Sequence, residues 1–72
     1  MNAKSQHVIA NTNGGWSVQS AGAGRAAKRF IRQEDAIAYA RERAEHQKAE
    51  LYVHGTDGMV RERLSFRGST ED

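Results

Sequence analysis

The sequence predicts an α+β fold, a small two-layer sandwich in which an antiparallel sheet of two hairpins carries one helix on one face. Three observations carry this expectation. Two short segments flank an Asn/Gly cluster early in the chain, two alternating segments flank an Asp-Gly turn late in it, and apolar residues recur at helical spacing between them. The helix thus separates two strand pairs, the pattern of an antiparallel sheet covered on one side.

The first hairpin is read from His7-Val8-Ile9-Ala10 and Trp16-Ser17-Val18-Gln19-Ser20, joined through Asn11-Thr12-Asn13-Gly14-Gly15. Glycine supplies the positive φ that tight hairpin connections require. Alternation puts Trp16 and Val18 on the inward face and Ser17 and Gln19 on the other. In a chain short of large apolar groups, Trp16 reads as a core anchor packed on the helix. Ala21-Gly22-Ala23-Gly24 is a break, and residues 25–31, with Phe30 as their one large aromatic, form an extra short strand. From Gln33 onward Ala36, Ile37, Ala40 and Ala44 share one helical face, flanked by Tyr39. Glu34 and Asp35 at the start and His46 and Lys48 near the end complement the helix dipole. The second hairpin is Glu50-Leu51-Tyr52-Val53-His54 turned by Gly55-Thr56-Asp57-Gly58 into residues 59–66. Leu51 and Val53, with Val60 and Leu64, are expected to face inward, and Tyr52, His54, Arg61, Arg63 and Ser65 outward. Residues 1–6 read as a disordered N-terminal segment, 7–66 as one domain and 67–72 as a polar tail.

Length and composition bound what such a domain can do. Of the 72 residues, 11 are alanine and only 11 are Leu, Ile, Val or Phe. Near-balanced charge, 11 basic against 9 acidic residues, favours folding over disorder. A domain this small buries only about 60% of its unfolded surface, and one such core supplies roughly 3–5 kcal/mol. Small domains usually add a disulfide, a metal or a partner. The chain has no cysteine, which removes disulfides and thiolate sites and points to self-association, so a homodimer is expected. No apolar run approaches the roughly 20 residues of a membrane span, and no signal-peptide pattern opens the chain. The expected setting is the cytoplasm.

A family resemblance emerges from several of these pieces together. His7-Val8, Gly15-Trp16-Ser17-Val18, Phe30, Glu34-Asp35-Ala36-Ile37 with Ala40-Arg41 and Ala44, and the run from Glu50 through His54-Gly55-Thr56-Asp57-Gly58 to Arg61-Glu62 resemble the bacterial domain-of-unknown-function family 2188. The most specific pieces are the Gly-Trp hairpin and the His-Gly-x-Asp-Gly turn. The resemblance implies this element order and a bacterial setting, and it carries no catalytic residue. Two departures concern the helix ends. Arg32 stands where the family tends to have a capping Thr, and Lys48 where it tends to have Gly, so a left-handed cap there is expected to be strained.

Two candidate surfaces follow. The outer sheet face would present Tyr52, His54, Arg61 and Arg63, residue types favoured at protein interfaces; one tyrosine without an aromatic partner makes a poor stacking platform for bases. The second surface is basic. Residues 1–33 carry five cations and no carboxylate, whereas residues 34–72 carry six cations and nine carboxylates, giving +5 and −3. Arg25, Lys28, Arg29 and Arg32, beside a glycine-containing loop, are candidate phosphate or nucleic-acid contacts, or else pair with the helix carboxylates. His7, His46 and His54 show no ligand spacing along the chain, so no metal is expected. There is no nucleophile motif, phosphate loop or nucleotide fingerprint, and so neither an enzyme, a cofactor nor a small-molecule substrate. The expectation is a non-enzymatic binding module. It acts through protein contacts, with its own copy or a larger protein partner. The alternative is weak, sequence-independent nucleic-acid binding through residues 25–32.

Overall fold

The computed structural model describes residues 5–20 and 28–66. Five strands and one helix follow in the order β1 (Gln6–Ala10), β2 (Trp16–Ser20), β3 (Lys28–Phe30), α1 (Gln33–Gln47), β4 (Glu50–His54) and β5 (Val60–Ser65). This is the α+β class read from the sequence: one helix on one face of one sheet. The glycine-containing break, Arg25, residues 1–4 of the segment read as loose and the tail 67–72 lie outside the described residues, whereas Gln6, read as part of that loose segment, is buried in a strand. β1 begins at Gln6, one residue before the boundary drawn from the sequence.

The sheet differs from the expectation in one respect. Its strand order is β3-β2-β1-β4-β5, and β1 pairs antiparallel with β2 but parallel with β4. The sheet is therefore mixed rather than antiparallel. The reason lies in the connection. The chain leaves β3 at one edge, and the 15-residue α1, about 22 Å long, carries it back across the sheet to the far side of β1. A parallel neighbour requires such a crossover. Both hairpins form as expected, and the parallel pairing joins them through the register Gln6–Leu51, His7–Tyr52 and Val8–Val53.

Period-two alternation sends Val8, Val18, Leu51 and Val53 to the helix side, where all four are buried. Ala36, Ala40 and Ala44, one helical turn apart, meet them and are fully buried. Alanine on that face brings helix and sheet close together while burying little area per residue. Trp16, Phe30, Ile37, Tyr39, Leu64 and Phe66 pack around this centre, partly buried. Trp16 points inward as expected but lies at the rim, because its cross-strand partners are Ala10 and Phe30 at the hairpin end of the sheet. The buried amide of Gln6 is satisfied by Ser20, whose hydroxyl donates to Oε1 (3.2 Å), and it reaches Gln47 Oε1 at 3.4 Å.

Local geometry explains the turns and the helix ends. Gly15 has φ +81°, and a Cβ there would come within 2.7 Å of the Phe30 carbonyl oxygen, so the first turn requires glycine twice over. Gly58 at φ +85° closes the second turn, where the Asp57 carboxylate accepts the Met59 N–H at 3.1 Å. Arg32 sits at the helix N-cap without a side-chain hydrogen bond to the helix amides. Lys48 adopts the left-handed conformation (φ 54°, ψ 47°), as strained as the sequence implied.

β5 makes a second departure. The register shifts between Val53 and His54: Val53 faces Glu62, but His54 faces Val60. Arg61 is the extra residue of a β-bulge, and every residue beyond it changes sides. Val60 was expected in the core; paired with His54, it lies on the outer side and is 52% exposed. β5 also projects beyond α1, which packs on the other four strands. Among β5 residues only Leu64 is even half-buried.

Candidate functional site on the open sheet face

The helix covers one face of the sheet and leaves the other open. On the open face, parity aligns Glu50, Tyr52 and His54 along β4, His7 on β1, and Arg63 on β5 directly opposite Tyr52. These side chains form one connected network. The Tyr52 hydroxyl donates to Glu50 Oε1, and the Arg63 guanidinium donates to Glu50 Oε2 at 3.1 Å. Arg63 also lies over the Tyr52 ring, 5.8 Å from its centre. On the other side of Tyr52, His7 stacks at 5.0 Å and 14°. His7 Nδ1 lies 3.1 Å from His54 Nε2, and His54 Nδ1 lies 3.1 Å from the Gly58 carbonyl oxygen.

The Gly58 oxygen only accepts, so His54 carries a proton on Nδ1. Neutral His54 therefore turns the lone pair of Nε2 toward His7, whose Nδ1–H donates to it. Burial lowers the His7 pKa below the usual histidine value, and the neighbouring His54 lowers it further. The Glu50 hydrogen bond raises the Tyr52 pKa, and the same carboxylate raises that of Arg63. One carboxylate thus organises the Tyr52–Arg63 end, and one backbone carbonyl organises the histidine end.

The structure brings together three of the four outer-face candidates, Tyr52, His54 and Arg63. Arg61 leaves the row because it is the bulged residue; its Nε lies 2.6 Å from where a Cβ on Gly55 would stand, so its side chain crosses that glycine. Glu50, His7 and Val60 join the face. Glu50 has the parity of Tyr52 and His54, so its place was legible. His7 required the β1–β4 pairing, and Val60 the bulge.

The basic candidates are distributed differently. Lys28 pairs with Val18 on the helix side of β3, its ammonium 5.5 Å from the centre of the Tyr39 ring. Arg29 pairs with Ser17 on the open side. Arg32 forms an exposed ion pair with Glu34 at 3.1 Å. Lys28 and Arg29 thus point to opposite faces of an edge strand. Arg25 lies outside the described residues. Among the described residues no three His, Cys, Asp or Glu side chains stand together as a metal cluster, and no helix is long and apolar enough to cross a membrane.

Comparison with known proteins gives one match. Residues 6–66 match the family described as an uncharacterized protein conserved in bacteria (DUF2188). No curated protein and no solved structure matches. The chain belongs to this bacterial family.

Proposed function

We propose, with this family membership as the premise, that the chain is a non-enzymatic cytoplasmic interaction module whose open sheet face docks another protein surface, its own copy first of all. The observation that carries the reading is the uncovered face itself. Tyr52 and Arg63 lie side by side on it, Val60 is turned onto it by a bulge, and no element of the described fold packs against them. Tyrosine and arginine are the residues that most often anchor interfaces. The small alanine-rich core adds a motive, since covering the second face buries apolar surface that the helix cannot reach.

Face-to-face packing is favoured over edge pairing. Two β5 edges joined antiparallel about a twofold axis must place one residue opposite its own copy, because paired residues share a face. With Arg61, Glu62 or Arg63 on that axis like charges meet, which disfavours half of the registers open to this six-residue strand. On the open face the Arg63 guanidinium is already paired with the Glu50 carboxylate of its own chain, so its charge is balanced before any partner arrives.

Sedimentation velocity over a concentration series tests this, for wild type, Tyr52→Ala and Arg63→Ala, with and without a mixed-sequence DNA duplex at low and physiological salt. The expected result is a reversible dimer weakened at least tenfold by either substitution, with the duplex sedimenting alone. A duplex shift that fades with salt and is lost in Arg29→Glu would replace this reading with phosphate binding. A monomer at every concentration would remove self-association.

A further inference from the structure

We infer that His7 and His54 form a chelating pair for a divalent late transition metal ion of the zinc type. The two rings come from strands 47 positions apart in sequence, and the parallel β1–β4 pairing sets His7 Nδ1 3.1 Å from His54 Nε2. Two Zn–N bonds of about 2.0–2.1 Å at a tetrahedral angle separate their nitrogens by about 3.3 Å. The separation needed is therefore already present, and rotation of the two rings by about 35° turns the lone pairs toward a common point.

Two further features match how metal-binding imidazoles are held. A ligating histidine commonly donates its other ring N–H to a carbonyl or carboxylate, which fixes the tautomer and ring orientation. His54 does this through Nδ1 to the Gly58 oxygen at 3.1 Å, leaving Nε2 as its only donor nitrogen. His7 is held by its stack on Tyr52, 5.0 Å away and 14° from parallel, and Glu50 anchors Tyr52 in turn. Imidazole is a ligand suited to zinc, copper and nickel.

On binding, the ion replaces the hydrogen bond between the rings. His7 exchanges its proton from Nδ1 to Nε2, and a neutral pair releases no net proton. With no third His, Cys, Asp or Glu beside them among the described residues, water or a donor from another molecule completes the coordination. The site lies on the face proposed for docking but does not rest on that reading, because both ligands belong to one chain.

The test uses chelator-treated protein, titrated with Zn2+ near pH 7.5 at a concentration where it is monomeric. Long-range 1H–15N spectra of the imidazoles read the coordinated nitrogens directly, and calorimetry reads affinity. The expected result is one Zn2+ per chain with His7 Nδ1 and His54 Nε2 both shifted as metal-bound nitrogens. Affinity should fall at least tenfold in His7→Ala and in His54→Ala and stay unchanged in His46→Ala. Zn2+ that shifts only one of the two rings, that binds the single-histidine variants as tightly as wild type, or that is lost with His46→Ala overturns the inference. The nitrogen spectra of the wild type decide the matter even if a variant fails to fold.

Discussion

The two faces of the sheet are built from the same strands to opposite ends. On the helix side, Val8, Val18, Leu51 and Val53 meet Ala36, Ala40 and Ala44, small side chains that do little but exclude water and fix the distance between layers. On the open side, the alternate residues of two of those strands, His7, Glu50, Tyr52 and His54, are joined through hydrogen bonds and ring contacts that also take in Arg63. The first face accounts for the fold. The second is more elaborate than the fold needs, which is why function is sought there.

Substitutions that separate the faces should show this contrast. The largest effect is expected at Leu51, the largest fully buried side chain. Leu51→Ala should cost about 2–5 kcal/mol, comparable to the whole stability of a domain this size, and chemical denaturation should find the chain largely unfolded. Next come the helix ends, where the expected change is a gain. Lys48→Gly relieves a left-handed residue, and Arg32→Thr supplies an oxygen acceptor to the first turn. Each should add about 1 kcal/mol and raise the melting temperature by about 4–8 °C.

A smaller effect links the open face to pH. Because the His7 pKa is lowered in the folded chain, the folded state binds fewer protons than the unfolded state as pH falls through the histidine range. Its contribution is complete above the ordinary histidine value and is lost as pH falls through the lowered one. The titratable groups in contact with His7 are His54 and Tyr52, and its cross-strand neighbour on β2 is the uncharged Gln19. Thermal melts of the metal-free protein between pH 7.5 and 5 should show this decline, and His7→Gln should flatten it. The smallest effect is expected at exposed Val60: Val60→Ser should change stability by no more than about 0.5 kcal/mol, by the same melts, while weakening association.

How much of this was legible in the sequence depends on how local the cause was. The helix, both turns and the inward residues Val18, Leu51 and Val53 follow from periodicity and glycine placement, and the departures at Arg32 and Lys48 marked the two weak helix ends. The parallel β1–β4 pairing was not legible, because strand direction is set by where a crossover delivers the chain, and no local pattern records it. That one pairing creates the His7–His54 contact. The bulge at Arg61 was equally hidden, since it breaks the period-two rule by which Val60 was placed inside and Arg61 outside. Among the basic residues, sequence proximity suggested a patch, yet β3 turns Lys28 and Arg29 to opposite faces.

We propose that the open face, and not the basic segment or the helix, is where this chain meets a partner. Backbone amide NMR spectra recorded across a dilution series test it most directly, because they map contact by residue without any substitution. Concentration-dependent shifts are expected to be confined to β1, β4 and β5, centred on His7, Tyr52, His54, Val60 and Arg63. Shifts centred instead on Arg29 and Arg32 or along α1, or spectra that do not change with concentration, would contradict it.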